Sequence, residues 1–159
     1  MTDELRTQLD LGPMDQVGFV FHDVKAAIER YQGVFGPFSY HEFDAYEYNY
    51  RGQREPCRLN IAFARSGDIE IEFIEWVSGG SPHKEFLDAG REGMHHVRFK
   101  VAELKTAVAG AEGLGYRAIW HTQFAEGLAV AYMEREGDPV IVELFEDKHN
   151  GKVVPDGIS

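Results

Sequence analysis

Apolar residues recur along this chain with two different periods, and the two alternate. "QVGFVF", from Gln16, is an apolar run of strand length. Behind it Val24, Ala27, Ile28, Tyr31 and Phe35 recur at helical spacing, with Asp23 placed to cap the helix and Gly36-Pro37 to stop it. The aromatic segment "FSYHEFDAYEYNY" predicts a strand broken by "RGQREP". "CRLNIAFARSG" and "DIEIEFIEW" predict two more, joined through Ser66-Gly67. This half therefore reads β-α-β-β-β. "VSGGSPHKEFLDAGREG" contains a short helix signal, with Ser81 as cap and Pro82 in the first turn. The order then repeats. "HHVRFKV" predicts a strand, Leu104, Ala107, Val108 and Ala111 a helix ended by "GLGY", and "RAIWHTQF", "LAVAYMERE" and "PVIVELFED" three final strands.

The repetition extends to individual residues. "GPMDQVGFVFHDVKAAIE" from Gly12 and "EGMHHVRFKVAELKTAVA" from Glu92 superpose without a gap eighty residues apart. Met14 then meets Met94, Val17 meets Val97, Phe19 meets Phe99, and Gln16 falls on His96. A second register lays "IEIEFIEW" from Ile69 on "VIVELFED" from Val140, which puts Glu72 on Glu143 and Glu75 on Glu146. The predicted organisation is a polar leader (1–13), a βαβββ module (14–77), a linker with a short helix (78–93), a second βαβββ module (94–147) and a loose tail (148–159). Neither half can bury a sheet face alone, so an α+β fold is expected in which the two sheets pair around a central cavity.

Side chains alternate across a strand, so the repeat also predicts faces. Val17, Phe19, Ile71, Phe73 and their counterparts in the second half would pack under the helices. Gln16, Glu72, His96 and Glu143 would share the opposite, concave face. His95 and His96 are neighbours, so one ring is expected on each face, with one of the two serving structure only. Two carboxylates converging in a cavity repel strongly unless they are protonated or bridged by a cation, which makes Gln16, Glu72, His96 and Glu143 candidate ligands of one divalent metal ion. Three oxygen donors and one imidazole form a hard, mixed set that suits zinc, nickel, cobalt, manganese or iron without choosing among them. Arg98 and Lys100 follow His96 on the same face. Arg98 is a candidate for binding a substrate carboxylate, or else a partner for Glu70. The run Tyr40, Phe43, Tyr46, Tyr48, Tyr50 would either wall a pocket for a larger apolar or cyclic substrate or pack as half-buried strand.

Composition narrows the partners. Net charge is -11 over 159 residues, which argues against a nucleic-acid partner. A single cysteine, Cys57, excludes an internal disulfide and a cysteine-built zinc cage, and suits a reducing, cytoplasmic setting. No apolar run approaches the roughly 18 residues of a membrane span, and "MTDELRTQLDLGPM" lacks the apolar core of a secretory signal. The partner expected is a small molecule.

The paired modules and the four ligand positions resemble the vicinal oxygen chelate superfamily of glyoxalases, bleomycin resistance proteins and dioxygenases, over residues 14–147. The segment "EFIEWVSGGSPHKEFLDAGREGMHHVRFKV" is most similar to the methylmalonyl-CoA epimerase branch. Those epimerases have histidine where this chain has Gln16, whereas the set Gln16, Glu72, His96 and Glu143 resembles that of eukaryotic-type glyoxalase I. The resemblance implies a metal-dependent lyase, isomerase or epimerase acting on a substrate chelated through vicinal oxygens, with Glu143 and Glu72 as the catalytic carboxylates, and a homodimer. It places the epimerases' extra acid/base glutamate on Asn60, whose amide cannot relay a proton, so Asn60 is expected to contact substrate instead. Dioxygenase chemistry, which favours two histidines and one carboxylate on iron, fits the set less well. A non-catalytic small-molecule binder with the same cavity, and a purely structural pairing module with no pocket, are the alternatives.

Overall fold

The computed structural model describes residues 2–152, with side chains from Leu5 onward. A helix α1 (Thr2–Leu9) comes first. The first repeat is β1 (Gln16–Val20), α2 (Val24–Phe35), β2 (Ser39–Glu42), β3 (Tyr46–Tyr50), β4 (Gln53–Ser66) and β5 (Ile69–Ser78). The short α3 (Pro82–Asp88) links it to β6 (Gly93–Lys100), α4 (Leu104–Glu112), β7 (Tyr116–Ala125), β8 (Leu128–Arg135) and β9 (Ile141–Asp147). The strands form one mixed sheet in the order β2-β4-β3-β7-β8-β9-β6-β1-β5, and an additional β4–β5 pairing closes it around a cavity.

The duplication is visible in the pairing. β1 runs parallel to β5, as β6 runs parallel to β9, and the two first strands meet antiparallel at the seam between the halves. The predicted faces hold. Phe19, Ile71 and Phe73 pack beneath α2, and Phe99, Val142 and Leu144 beneath α4. The predicted aromatic strand is instead two strands, β2 and β3, both paired to the 14-residue β4. The break falls opposite Arg58, whose Nε donates to the Phe43 carbonyl at 3.0 Å and substitutes for a ladder bond.

The leader is also corrected. Residues 2–9 are helical, and Leu5 and Leu11 are buried against Ala107 and Ala111 of α4. Contact is close enough that a Cβ on Gly110 would lie 2.4 Å from Leu9 Cδ2. Leu5 and Leu9, one helical turn apart, form an apolar stripe too short to stand out among the polar residues around it. Of the expected tail, residues 153–159 lie outside the described residues. The part described is not loose, since the Asp147 carboxylate accepts from the amides of His149 and Gly151 at 2.9 and 2.7 Å. Among the described residues no helix is long and apolar enough to cross a membrane.

Glu75 and Glu146, equated by the repeat, do equivalent work. Glu75 Oε1 accepts from Val24 N at 2.9 Å and Glu146 Oε1 from Leu104 N at 2.8 Å, so the last strand of each module caps the helix of that module. α2 has a second cap in Asp23, which accepts from Ala26 N, whereas Glu103 at the start of α4 makes no side-chain cap bond. Glu146→Ala is therefore expected to cost about 1–2 kcal/mol and lower the melting temperature by roughly 2–6 °C in a chain of this size. Glu75→Ala, with Asp23 still in place, should cost less. Calorimetry of the two variants checks the order.

Candidate metal centre

The seam between the halves brings the four proposed ligands together. His96 Nε2 lies 3.2 Å from Glu72 Oε1, 3.2 Å from Glu143 Oε1 and 3.3 Å from Gln16 Oε1. The ligand atoms of Glu72, His96 and Glu143 all fall within 4.8 Å of one another. None of the four residues is more than 8% exposed. Each comes from a first or last strand of a module, the strands that the parallel pairings place side by side.

Neighbouring groups aim these atoms. Gln16 Nε2 donates to Glu70 Oε1 at 2.7 Å, which turns the carbonyl oxygen of the amide toward His96. Arg98 donates to both oxygens of Asp15, at 3.0 and 3.1 Å, and lies 3.7 Å from Glu70. The guanidinium expected to hold a substrate carboxylate thus ties down the residue before Gln16 and the residue that orients it, although it also borders the cavity.

His95 departs from expectation. Strand alternation should put its ring on the far face, yet His95 Nδ1 sits 3.0 Å from His96 Nδ1 with both residues buried. The register explains this: Gly18 faces His96 and Phe19 faces Met94, so His95 is the extra residue of a β-bulge, which re-aims its side chain. One proton must lie between the two nitrogens. Were His96 Nε2 to hold a cation, His96 Nδ1–H would donate to His95, the kind of outer hydrogen bond that fixes a ligand imidazole. Gly18 makes room for the ring, since a Cβ there would come within 2.0 Å of His96 Cε1.

The charges of the cluster are mismatched in the absence of a cation. Burial pushes the Glu72 carboxyl up, against the pull of the His96 hydrogen bond. Burial also works against the His96 imidazolium, but hydrogen bonds to Glu143 and Glu72 outweigh it and raise that group to about 9. A proton on His96 thus stands where a divalent ion would serve two buried carboxylates better, and the donor set of two carboxylates, an amide oxygen and an imidazole fits such an ion. A sign follows for pH. His96 titrates near 9 in the folded chain against 6.5 ordinarily, so its stabilising effect is complete below pH 6.5 and is lost as pH rises through 9. The raised Glu72 acts in the same direction above its ordinary 4.5. Chelator-treated protein should therefore melt at progressively lower temperature between pH 6.5 and 9.5. Protein saturated with zinc or manganese should lose less, because the cation takes over from the proton.

The ligand cluster opens on a cavity of about 580 Å³. Inward residues of β3, β4, β7 and β8, among them Tyr48, Leu59, Ile61, Trp120, Val130 and Tyr132, make its wall apolar and aromatic, while Arg65 and Lys100 stand at more exposed positions. Of the aromatic run only Tyr48 joins this wall; Tyr40 packs toward α2 and Tyr50 bonds Glu85. Asn60 is a correction. It alternates with Leu59 and Ile61 and so faces away from the cavity, and its amide donates to the cap residue Glu75 at 3.2 Å. Tyr132, His83 and Gly18 were not singled out from the sequence. The alternation "LAVAYMER" carries a signal for Tyr132, whereas nothing local marks His83 or Gly18.

Closed paired βαβββ modules with a buried carboxylate–imidazole cluster at their seam define the class, and comparison with known proteins agrees. The chain belongs to the glyoxalase/bleomycin resistance protein/dioxygenase superfamily, whose family model matches residues 15–132. That stretch contains Gln16, Glu72 and His96 but ends before β9, so Glu143 joins the cluster on geometry. Bacillus subtilis (strain 168) YqjC, an uncharacterised protein, is 28% identical over 143 residues, covering 86% of this chain and 96% of that one. A hypothetical protein from Bacillus halodurans C-125, BH1468, superposes with a TM-score of 0.62 at 22% identity over 89% of this chain and 98% of its own. Methylmalonyl-CoA epimerase from Mycobacterium tuberculosis does so with a TM-score of 0.62 at 18% identity, over 91% and 93%. At such identities the structural likeness is one of fold.

Proposed function

We propose that this protein is a metal-dependent enzyme that moves a proton on a carbon next to a carbonyl, an isomerase or epimerase in type, with a small substrate bound through two neighbouring oxygens. The observation that carries this reading is the convergence of Gln16, Glu72, His96 and Glu143 at a cavity whose wall is partly apolar and aromatic. The epimerases among its structural neighbours support it. A divalent ion held by these four residues would polarise the substrate carbonyl and make the neighbouring C–H more acidic. The rest falls to the chain. Glu72 and Glu143 occupy equivalent positions of the two modules on either side of His96, so one carboxylate can accept the proton from carbon and the other can return one to the opposite face. His95 and Glu70 hold the imidazole and the amide in register. A cytoplasmic homodimer is part of the proposal, supported by the lone cysteine and the family resemblance.

Solvent exchange tests it. Metal-loaded protein in deuterated buffer should place deuterium beside the carbonyl of at least one member of a panel of acyl thioesters, thiohemiacetals and hydroxyketones, and chelation should stop it. No exchange across the panel would defeat the reading. A second reading, stoichiometric binding of an apolar small molecule without chemistry, draws on the aromatic wall; ligand binding that survives both chelation and Glu143→Gln would favour it.

A further inference from the structure

Two phenols stand in the cavity wall, and their hydroxyls are placed differently. Tyr132 Oη lies 3.0 Å from His83 Nε2, and His83 Nδ1 lies 3.3 Å from Ser81 Oγ, so that hydroxyl belongs to a buried chain leading to the start of α3. Tyr48 is as deeply placed, at 2% exposure, with its ring flat against Trp120 at 3.9 Å between centroids and 15° between planes. Its hydroxyl makes no hydrogen bond among the described residues. Nor is that oxygen sealed in: the fully enclosed side-chain atoms without a partner among the described residues are Asn60 Oδ1 and Trp120 Nε1. Tyr48 Oη therefore opens on the cavity it lines. Glu72 and Glu143 line the same cavity. Buried tyrosine hydroxyls normally have a partner, and one that lacks it inside a binding cavity is matched to something that arrives.

We propose that Tyr48 is a substrate-contacting residue, whose O–H donates to the substrate oxygen that gains negative charge when the neighbouring carbon loses its proton. The inference rests on the proton-transfer reading above. In that step the C–H electron pair enters the new C=C bond, the carbonyl π pair moves onto oxygen, and the proton goes to a glutamate carboxylate. Tyr48 keeps its own proton and supplies only the hydrogen bond. Stacking on Trp120 holds the donor in place beforehand, and such pre-aimed donors are the effective ones.

Tyr48→Phe keeps the ring on Trp120 and removes the hydroxyl alone. The probe is acetohydroxamate, a small chelator with two adjacent oxygens, titrated by calorimetry into manganese-loaded protein. The variant should bind it about 10-fold more weakly, as befits one hydrogen bond to a charged oxygen, with manganese content and melting temperature unchanged. Tyr132→Phe, which breaks the bond to His83, should instead lower the melting temperature. Equal acetohydroxamate affinity in wild type and Tyr48→Phe overturns the assignment. So does a fall in melting temperature for Tyr48→Phe that matches the Tyr132→Phe loss, since the hydroxyl would then be structural. Wild-type protein that takes up none of manganese, zinc, nickel, cobalt or iron defeats the proton-transfer reading itself.

Discussion

His96→Ala should leave the protein without its ion. His96 Nε2 lies within 3.3 Å of all three other ligand-capable groups, and the residue is fully buried, so its loss removes the donor at the middle of the set. Elemental analysis after dialysis should read close to one divalent ion per wild-type chain and close to none for the variant, with proton exchange into substrate lost alongside it. The metal-free variant also keeps Glu72 and Glu143 buried without their positive partner. Removing one member of a buried charged set costs about 3–5 kcal/mol, so its melting temperature should fall well below that of chelator-treated wild type at pH 7. A His96→Ala protein that retains a full equivalent of metal would refute the centre.

Gly18→Ala ranks next. The change adds one methyl group to β1, at a position whose backbone tolerates alanine, and the obstacle is the imidazole. The new Cβ would lie 2.0 Å from His96 Cε1 and 2.2 Å from Nε2. Either the ring leaves its place among the carboxylates or the seam between β1 and β6 opens. Overpacking of this kind costs about 1–3 kcal/mol, and the displaced ring should weaken metal binding at least tenfold as well. Gly33→Ala is the control: an added Cβ there meets nothing within 4 Å, and the helical site should gain up to about 1 kcal/mol. Wild-type metal affinity in Gly18→Ala would show that His96 is not confined as the structure has it.

The polar cluster was legible because duplication preserves register. Superposing the halves put Gln16 on His96 and Glu72 on Glu143, and strand alternation then assigned all four to one face, where they are found. Asn60 failed because superposition of sequences does not track face. It lies one residue from Leu59 and Ile61, which do line the cavity, and a single step along a strand reverses the side. Arg98 was placed on the correct face, but its partner Asp15 comes from the other half, 83 positions away, and only the antiparallel seam brings the two together.

Period, repeat and composition were enough to establish the paired α+β modules, the caps at Asp23 and Ser81, and the residues that converge at the seam, because each depends on local propensity or on a copy of the same pattern. Folding alone settled the rest: that the leader docks on α4, that a bulge turns His95 onto His96, that Gly18 must be bare, and that of two phenols in one wall Tyr132 has a partner and Tyr48 does not. Those outcomes hang on distances between segments with no pattern in common, and a linear chain carries no measure of such distances until its strands are paired.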